Sequence, residues 1–117
     1  MFKKNWRDSP AHLLLLSKFL RGDSPSGYER AEGDSMYPTI VDKGLVGVDF
    51  EDKNIVNNGI YLIRFPDLGI AIKRLQLRTT GLLVESDNKQ VKSEEVDKSI
   101  VEQGFVLGRV RWIHNKV

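Results

Sequence analysis

Two short stretches of this 117-residue chain carry side chains that together could do acyl chemistry. The first is Gly33-Asp34-Ser35-Met36-Tyr37-Pro38-Thr39. A serine hydroxyl is a weak nucleophile until a base takes its proton. The Gly, Asp and Pro around Ser35 favour an irregular backbone that can present a side chain and amides to a substrate. On composition alone the same stretch is also an ordinary surface turn, because Asp, Ser, Gly and Pro are turn residues. The second stretch is Ile70-Ala71-Ile72-Lys73-Arg74-Leu75-Gln76-Leu77, whose pattern predicts a strand. Alternation then places Ala71, Lys73, Leu75 and Leu77 on one face and Ile70, Ile72, Arg74, Gln76 and Arg78 on the other. Lys73 falls on the more apolar face, where burial disfavours its charged form and lowers its pKa. A lysine base working near neutral pH needs its pKa to fall by about 3, roughly 4 kcal/mol of differential interaction. The competing expectation is a lysine at the sheet edge with its stem on apolar surface and its head in water. Lysine can replace histidine as the base for a serine. Of the two histidines, His12 lies in a leucine-rich stretch and His114 near the C-terminus, and both fit structural or surface positions better.

The elements that must position these residues follow from the rest of the chain. Hydrophobic residues make up 40% and charged residues 29%, as in a soluble globular domain. A net charge of +2 gives no nucleic-acid footprint by itself. There are no cysteines, which excludes disulfides and thiolate metal sites, and with two histidines neither a metal nor a cofactor is expected. The run Leu13–Leu16 is far shorter than the about 20 apolar residues that span a bilayer. Ser17 and Lys18 interrupt it and no small-residue cleavage site follows, so the expectation is a cytoplasmic chain without membrane attachment.

Ser9-Pro10 predicts a helix start, with the helix running to about Leu20 and ending at Gly22. Its six large apolar residues suit docking on its own domain or on a partner. Arg21 to Gly27 is composed as a linker. From Tyr28 on, β-type segments at Leu45–Phe50, Ile60–Phe65, Ile70–Leu77, Leu82–Ser86 and Phe105–Ile113 alternate with turn signals at Asn57-Asn58-Gly59, Asp67-Leu68-Gly69 and Thr79-Thr80-Gly81. The expected fold is mainly β, a strongly bent sheet or partial barrel with a short N-terminal helix. Residues 1–27 form the leucine-rich segment and linker, and 28–117 the domain proper.

Taken in order, the serine box, Gly44 with Leu45–Asp49, Ile72-Lys73-Arg74-Leu75, Ser86-Asp87-Asn88 and Leu107-Gly108-Arg109-Val110 match a known pattern. Over about residues 28–113 the chain resembles the S24 peptidases of the LexA, UmuD and phage-repressor group. The resemblance implies a LexA-like, mostly β domain with Ser35 as nucleophile and Lys73 as general base. It implies backbone amides around Ser35 as oxyanion donors, with Asp34 and Met36 as the flanking positioning residues. It further implies cleavage of the protein's own N-terminal hinge, stimulated by the RecA–single-stranded-DNA filament of the SOS response. It also implies a homodimer, with DNA bound only through a separate helix-turn-helix domain absent from this chain. One leucine-rich helix cannot read DNA as a helix-turn-helix does.

The family cuts after Ala or Cys and before Gly, and neither pair occurs here. The cut bond is therefore expected in an upstream segment, or this member does not cut itself. Alternatives are a non-cleaving dimerisation or partner-binding module of the same fold, and a UmuD-like SOS accessory protein. A type I signal peptidase relative, which shares the Ser-Met-x-Pro-Thr spelling, would need a membrane anchor.

Overall fold

The computed structural model describes residues 26–65 and 69–115. The leucine-rich helix, His12 and the Asp67-Leu68 part of one turn lie outside the described residues. Among the described residues seven strands run β1 (Ser26–Arg30), β2 (Leu45–Asp49), β3 (Gly59–Phe65), β4 (Gly69–Arg78), β5 (Gly81–Glu85), β6 (Glu94–Asp97) and β7 (Val106–His114), with a 3-10 helix at Lys98–Gln103. They form one sheet in the order β1-β2-β7-β3-β4-β5-β6, and each neighbouring pair is antiparallel. The fold is mainly β, as the alternating segments predict, and the sheet is open.

Each of the five strands expected from sequence is present with its ends moved by at most one residue. Two strands were not expected. β1 begins at Ser26, inside the linker-like stretch, and β6 is Glu94-Glu95-Val96-Asp97. Both are edge strands, paired with β2 and with β5 alone. An edge strand needs no apolar face, and its charges discourage pairing with another chain, so neither carries the alternation that marks a strand in sequence.

β3 lies at the centre of the strand order, and its run Ile60-Tyr61-Leu62-Ile63 is apolar on both faces. Tyr61 and Ile63 enter one core with Leu75, Leu82, Val84, Phe105 and Val106. Leu62 enters a second core with Ala31, Met36, Ile40, Val46 and Val48. Tyr61 is fully buried, and its hydroxyl is satisfied by donating to Asn54 O at 2.7 Å and accepting from Val56 N at 2.7 Å. β-Bulges between Gly47 and Val48 and between Leu62 and Ile63 break the registers with β7 and add twist.

β4 departs from the simple alternation. Leu75 is buried in the first core, but Leu77 on the same face is 49% exposed. The other face is not the polar one, because Ile70 and Ile72 pack against the second core. The covering comes from Met36 and Ile40, whose loop crosses that face, and strand alternation cannot reveal a loop folded back from elsewhere.

Gly81 fixes how closely β5 and β6 approach. A Cβ there would sit 2.1 Å from the Val96 carbonyl oxygen, which is backbone and cannot step aside. Gly81→Ala is therefore expected to destabilise the domain by about 1–3 kcal/mol, the usual cost of overpacking. The check is a urea titration, in which the midpoint falls while the slope is unchanged.

Candidate active site

The chain from Ala31 to Gly44 is a loop closed at its base by Ala31 N donating to Gly44 O and Lys43 N donating to Ala31 O, both at 2.8 Å. Gly33 has φ +85, a region side chains rarely adopt, which explains a glycine just ahead of Asp34-Ser35. Its N–H donates to Asp42 Oδ1 at 2.7 Å. Ile40 N then donates to Met36 O at 2.9 Å, a single helical turn that brings both side chains to one side. Both are buried in the second core. Each burial contributes roughly 1.5–3 kcal/mol and fastens the loop to the sheet. Asn115, just past β7, holds the far end: Val41 N donates to its Oδ1, and its Nδ2 donates to Thr39 O, both at 3.0 Å.

Ser35 is left half-buried at the mouth of a cleft of about 240 Å³, whose other walls include Ala31, Met36, Leu62, Ile70 and Ile72. The cleft is apolar at its floor, and Glu29, Arg30 and Glu32 belong to its lining. Along one side runs β4. β4 pairs with β3 from Gly69 to Leu75 but with β5 only from Arg74 to Arg78, so among the described residues the Gly69–Lys73 edge on the β5 side carries no strand.

The tripeptide Ser86-Asp87-Asn88 follows β5 directly and joins loop to sheet. Asp87 accepts from Thr39 Oγ1 at 2.5 Å. It also accepts from Arg74 Nε and Nη2, both at 2.8 Å, a bidentate pair. Asn88 N donates to Ser35 O at 3.0 Å, and Asn88 Nδ2 donates to Asp34 O at 3.1 Å. The Asp87 amide meets Met36 Sδ at 3.4 Å. The Arg74 hydrogen bonds, supported by the Thr39 hydroxyl and opposed by burial, hold the Asp87 carboxyl below the usual carboxylate range. The same hydrogen bonds raise the Arg74 pKa.

Lys73 is half-buried on β4, and its Nζ donates to Ser86 Oγ at 2.7 Å. Burial pushes its pKa below the ordinary lysine value, and the Glu94 carboxylate on β6 opposes that shift. The direction is the one its aliphatic neighbours predict.

The sequence-derived site residues are thus unequally placed. Ser35 and Lys73 both lie at the junction made by residues 86–88. Among the described residues no hydrogen bond joins them directly; each instead bonds to that tripeptide. Asp34 is exposed and contributes its carbonyl to the loop. Met36 is 4% exposed and acts as the loop's anchor. Among the described residues the amides of Ser35 and Met36 donate to no protein acceptor, which leaves two donors beside the serine hydroxyl. Thr39 and Ser86 fall within motifs visible in the sequence, the serine box and Ser86-Asp87-Asn88, but nothing there assigns them a partner, and Asn115 lies in no motif at all. Among the described residues no group of His, Cys, Asp or Glu is arranged to hold a metal ion.

The Asp87 junction makes a pH prediction. Its folded pKa lies below the unfolded value of about 3.9, so its stabilisation is complete above that value and is lost as pH falls through the lower folded one. Asp87→Ala is expected to lose about 1.5–3 kcal/mol at neutral pH, the range for hydrogen bonds to charged groups. Thermal melts across the acid range should show wild type and variant converging as Asp87 becomes protonated.

With this geometry in hand, similarity to known proteins is informative. The Peptidase S24-like family model matches residues 3–111. Repressor protein CI of Enterobacteria phage phi80 is 37% identical over 83 residues, covering 70% of this chain and 34% of that protein. The chain therefore spans about a third of that repressor's length. The family match covers nearly the whole chain, including the serine loop, β4 and the residues 86–88 that join them, and the chain belongs to the Peptidase S24-like family.

Proposed function

We propose that this chain is the regulatory peptidase domain of a LexA-like or phage-type repressor, which cuts a bond in its own polypeptide with Ser35 as nucleophile and Lys73 as base. The observation that carries the proposal is Lys73 itself: a half-buried lysine of lowered pKa, fixed beside the junction that holds the Ser35 loop. In the proposed reaction the neutral Lys73 amine takes the proton of Ser35 Oγ as that oxygen attacks the scissile carbonyl carbon. The resulting oxyanion is met by the Ser35 and Met36 amides. The C–N bond breaks, the leaving amine takes the proton back from Lys73, and water then hydrolyses the ester by the same proton route. Lys73 must exchange part of its contact with Ser86 for one with Ser35 when substrate is bound, since such contacts commonly tighten only in the complex.

The cleft supports a peptide substrate. At about 240 Å³ it is below the roughly 300–1,000 Å³ of small-molecule sites and suits side chains of an extended segment. The Gly69–Lys73 edge of β4, which no strand covers among the described residues, offers backbone donors and acceptors to a segment adding as a strand. The proposal includes the partners the family implies: a second copy as homodimer, the RecA–single-stranded-DNA filament as stimulus, and DNA bound by another domain of the longer polypeptide. The proposal puts the protein in the cytoplasm, where a repressor meets its DNA.

A second proposal is a non-cleaving dimerisation module of the same fold. It is favoured by the Lys73 bond to Ser86 rather than Ser35.

One experiment separates the two. The natural polypeptide carrying this domain is incubated from neutral pH to about pH 10, near the ordinary lysine pKa, with and without RecA filament, and followed by intact mass. Because Lys73 has a lowered pKa, cleavage should rise with pH through that value and level off above it. Ser35→Ala and Lys73→Ala should each reduce the rate on the order of 10³-fold or more. Wild type that remains as intact as Ser35→Ala under every condition overturns self-cleavage and leaves the module, for which sedimentation should then show a dimer.

A further inference from the structure

Lys73 sits in surroundings with few polar atoms. Its neighbours on the same face of β4 are Ala71 and Leu75, and neither side chain has a polar atom. Its partner across the β3 ladder is Tyr61, whose hydroxyl is committed to Asn54 and Val56. On the β5 side, Arg74 pairs with Glu85, so continuing that antiparallel register puts Ser86 opposite Lys73. The Ser86 hydroxyl is the acceptor found there, at 2.7 Å from Nζ.

A neutral lysine amine has two N–H donors and one lone pair on a freely rotating Cε–Nζ bond. As a base it works only when the lone pair points at the proton to be removed. A fixed acceptor for one N–H removes most of that rotational freedom. Ser86 is such an acceptor, and its own place is set by the β4–β5 register and by the two residues after it. Those residues are Asp87 and Asn88, which hold Thr39 and the Ser35 carbonyl. The group that aims the base is therefore one residue from the groups that hold the nucleophile's loop.

We propose that Ser86 is a positioning residue of this site, whose hydroxyl orients the Lys73 amine toward the Ser35 hydroxyl; the role rests on the Ser35–Lys73 chemistry proposed above. The charged and titratable groups facing Lys73 from its neighbours are Glu94 on β6, Tyr61 on β3 and Arg109 on β7, whose guanidinium lies 5.9 Å from the Tyr61 ring centre. Glu85 and Arg74 belong to the opposite face of their strands. Ser86 carries no charge of its own, so its effect on Lys73 is that of one hydrogen bond, which fixes the amine's direction and favours its ammonium form.

The test compares Ser86→Ala, Ser86→Thr and Ser86→Val in the natural polypeptide. Thr and Val are matched in shape and differ in the hydroxyl. Two readouts are taken: the self-cleavage rate against pH, and the titration of Lys73 by NMR. In Ser86→Ala and Ser86→Val the alkaline plateau should fall on the order of 10²-fold, the cost of a slightly misplaced reacting group. Ser86→Thr should restore most of it. The Lys73 midpoint should move to lower pH in the two variants without a hydroxyl, because the acceptor that favours the ammonium form is gone, and return in Ser86→Thr. A merely loosened fold would admit water and move the midpoint up toward the ordinary lysine value. Equal plateaus in all four proteins overturn the proposal, as do equal losses in the Thr and Val variants, a raised midpoint, or failure of both Ala and Val variants to fold. If wild type does not cleave, the self-cleavage reading fails on its own. The Ser86 contact is then judged by the Lys73 midpoint, and one that is the same with Thr and Val overturns it.

Discussion

The carboxylate of Asp87 ties the serine loop to β4. Thr39 lies 48 residues before it and Arg74 lies 13 before it, one in the serine loop and one on β4. Arg74 donates to both carboxylate oxygens and Thr39 to one of them, Oδ2, so the loop can shift relative to the strand only by breaking a charge-assisted bond. The Asp87–Arg74 pair is shielded, with side-chain exposures of 14% and 26%. That makes it more than a surface ion pair, whose worth is commonly near zero. Asn88 next to it adds two bonds to the same loop. The neighbours of Asp87 can then each take a separate task, Ser86 toward Lys73 and Asn88 toward Ser35.

Apolar packing supports this polar junction from below. Met36 and Ile40 drop from the loop into the second core, where Ile70 and Ile72 pack against them. On the opposite face Leu75 and Val84 fill the first core beside the Lys73 row. β4 is therefore covered on one face by the serine loop and on the other by the main core, and Lys73 is half-buried because of it. The lysine's lowered pKa is a consequence of this packing: desolvation is its leading cause, and the Glu94 carboxylate only partly offsets it.

The strand-free stretch of β4 has a similar origin. β5 is shorter than β4 and begins to pair only at Arg74, because the chain must turn away after Glu85 to bring Ser86-Asp87-Asn88 over the serine loop. The turn that builds the junction thus also leaves the Gly69–Lys73 edge unpaired by β5, beside the cleft.

How much of this was legible in the sequence follows from the range of the forces involved. Strand segments with alternating or continuous apolar character, such as Ile60–Phe65 and Ile70–Leu77, depend on local pattern and were readable to within a residue. The composition around Ser35 is that of an ordinary turn and the serine stood out only when paired with the lysine stretch, whereas Lys73 was readable as a lysine among aliphatic residues. The edge strands β1 and β6 were not, since their pairing depends on a neighbour far away in sequence. Local pattern was enough for the mainly β architecture, the serine-bearing turn and a lysine on an aliphatic strand face. That Ser86 meets this lysine and that Asp87 and Asn88 hold the loop came from the fold alone. A hydrogen bond depends on ångström-scale distances between side chains that chain folding alone brings together, and no spacing along the chain records it.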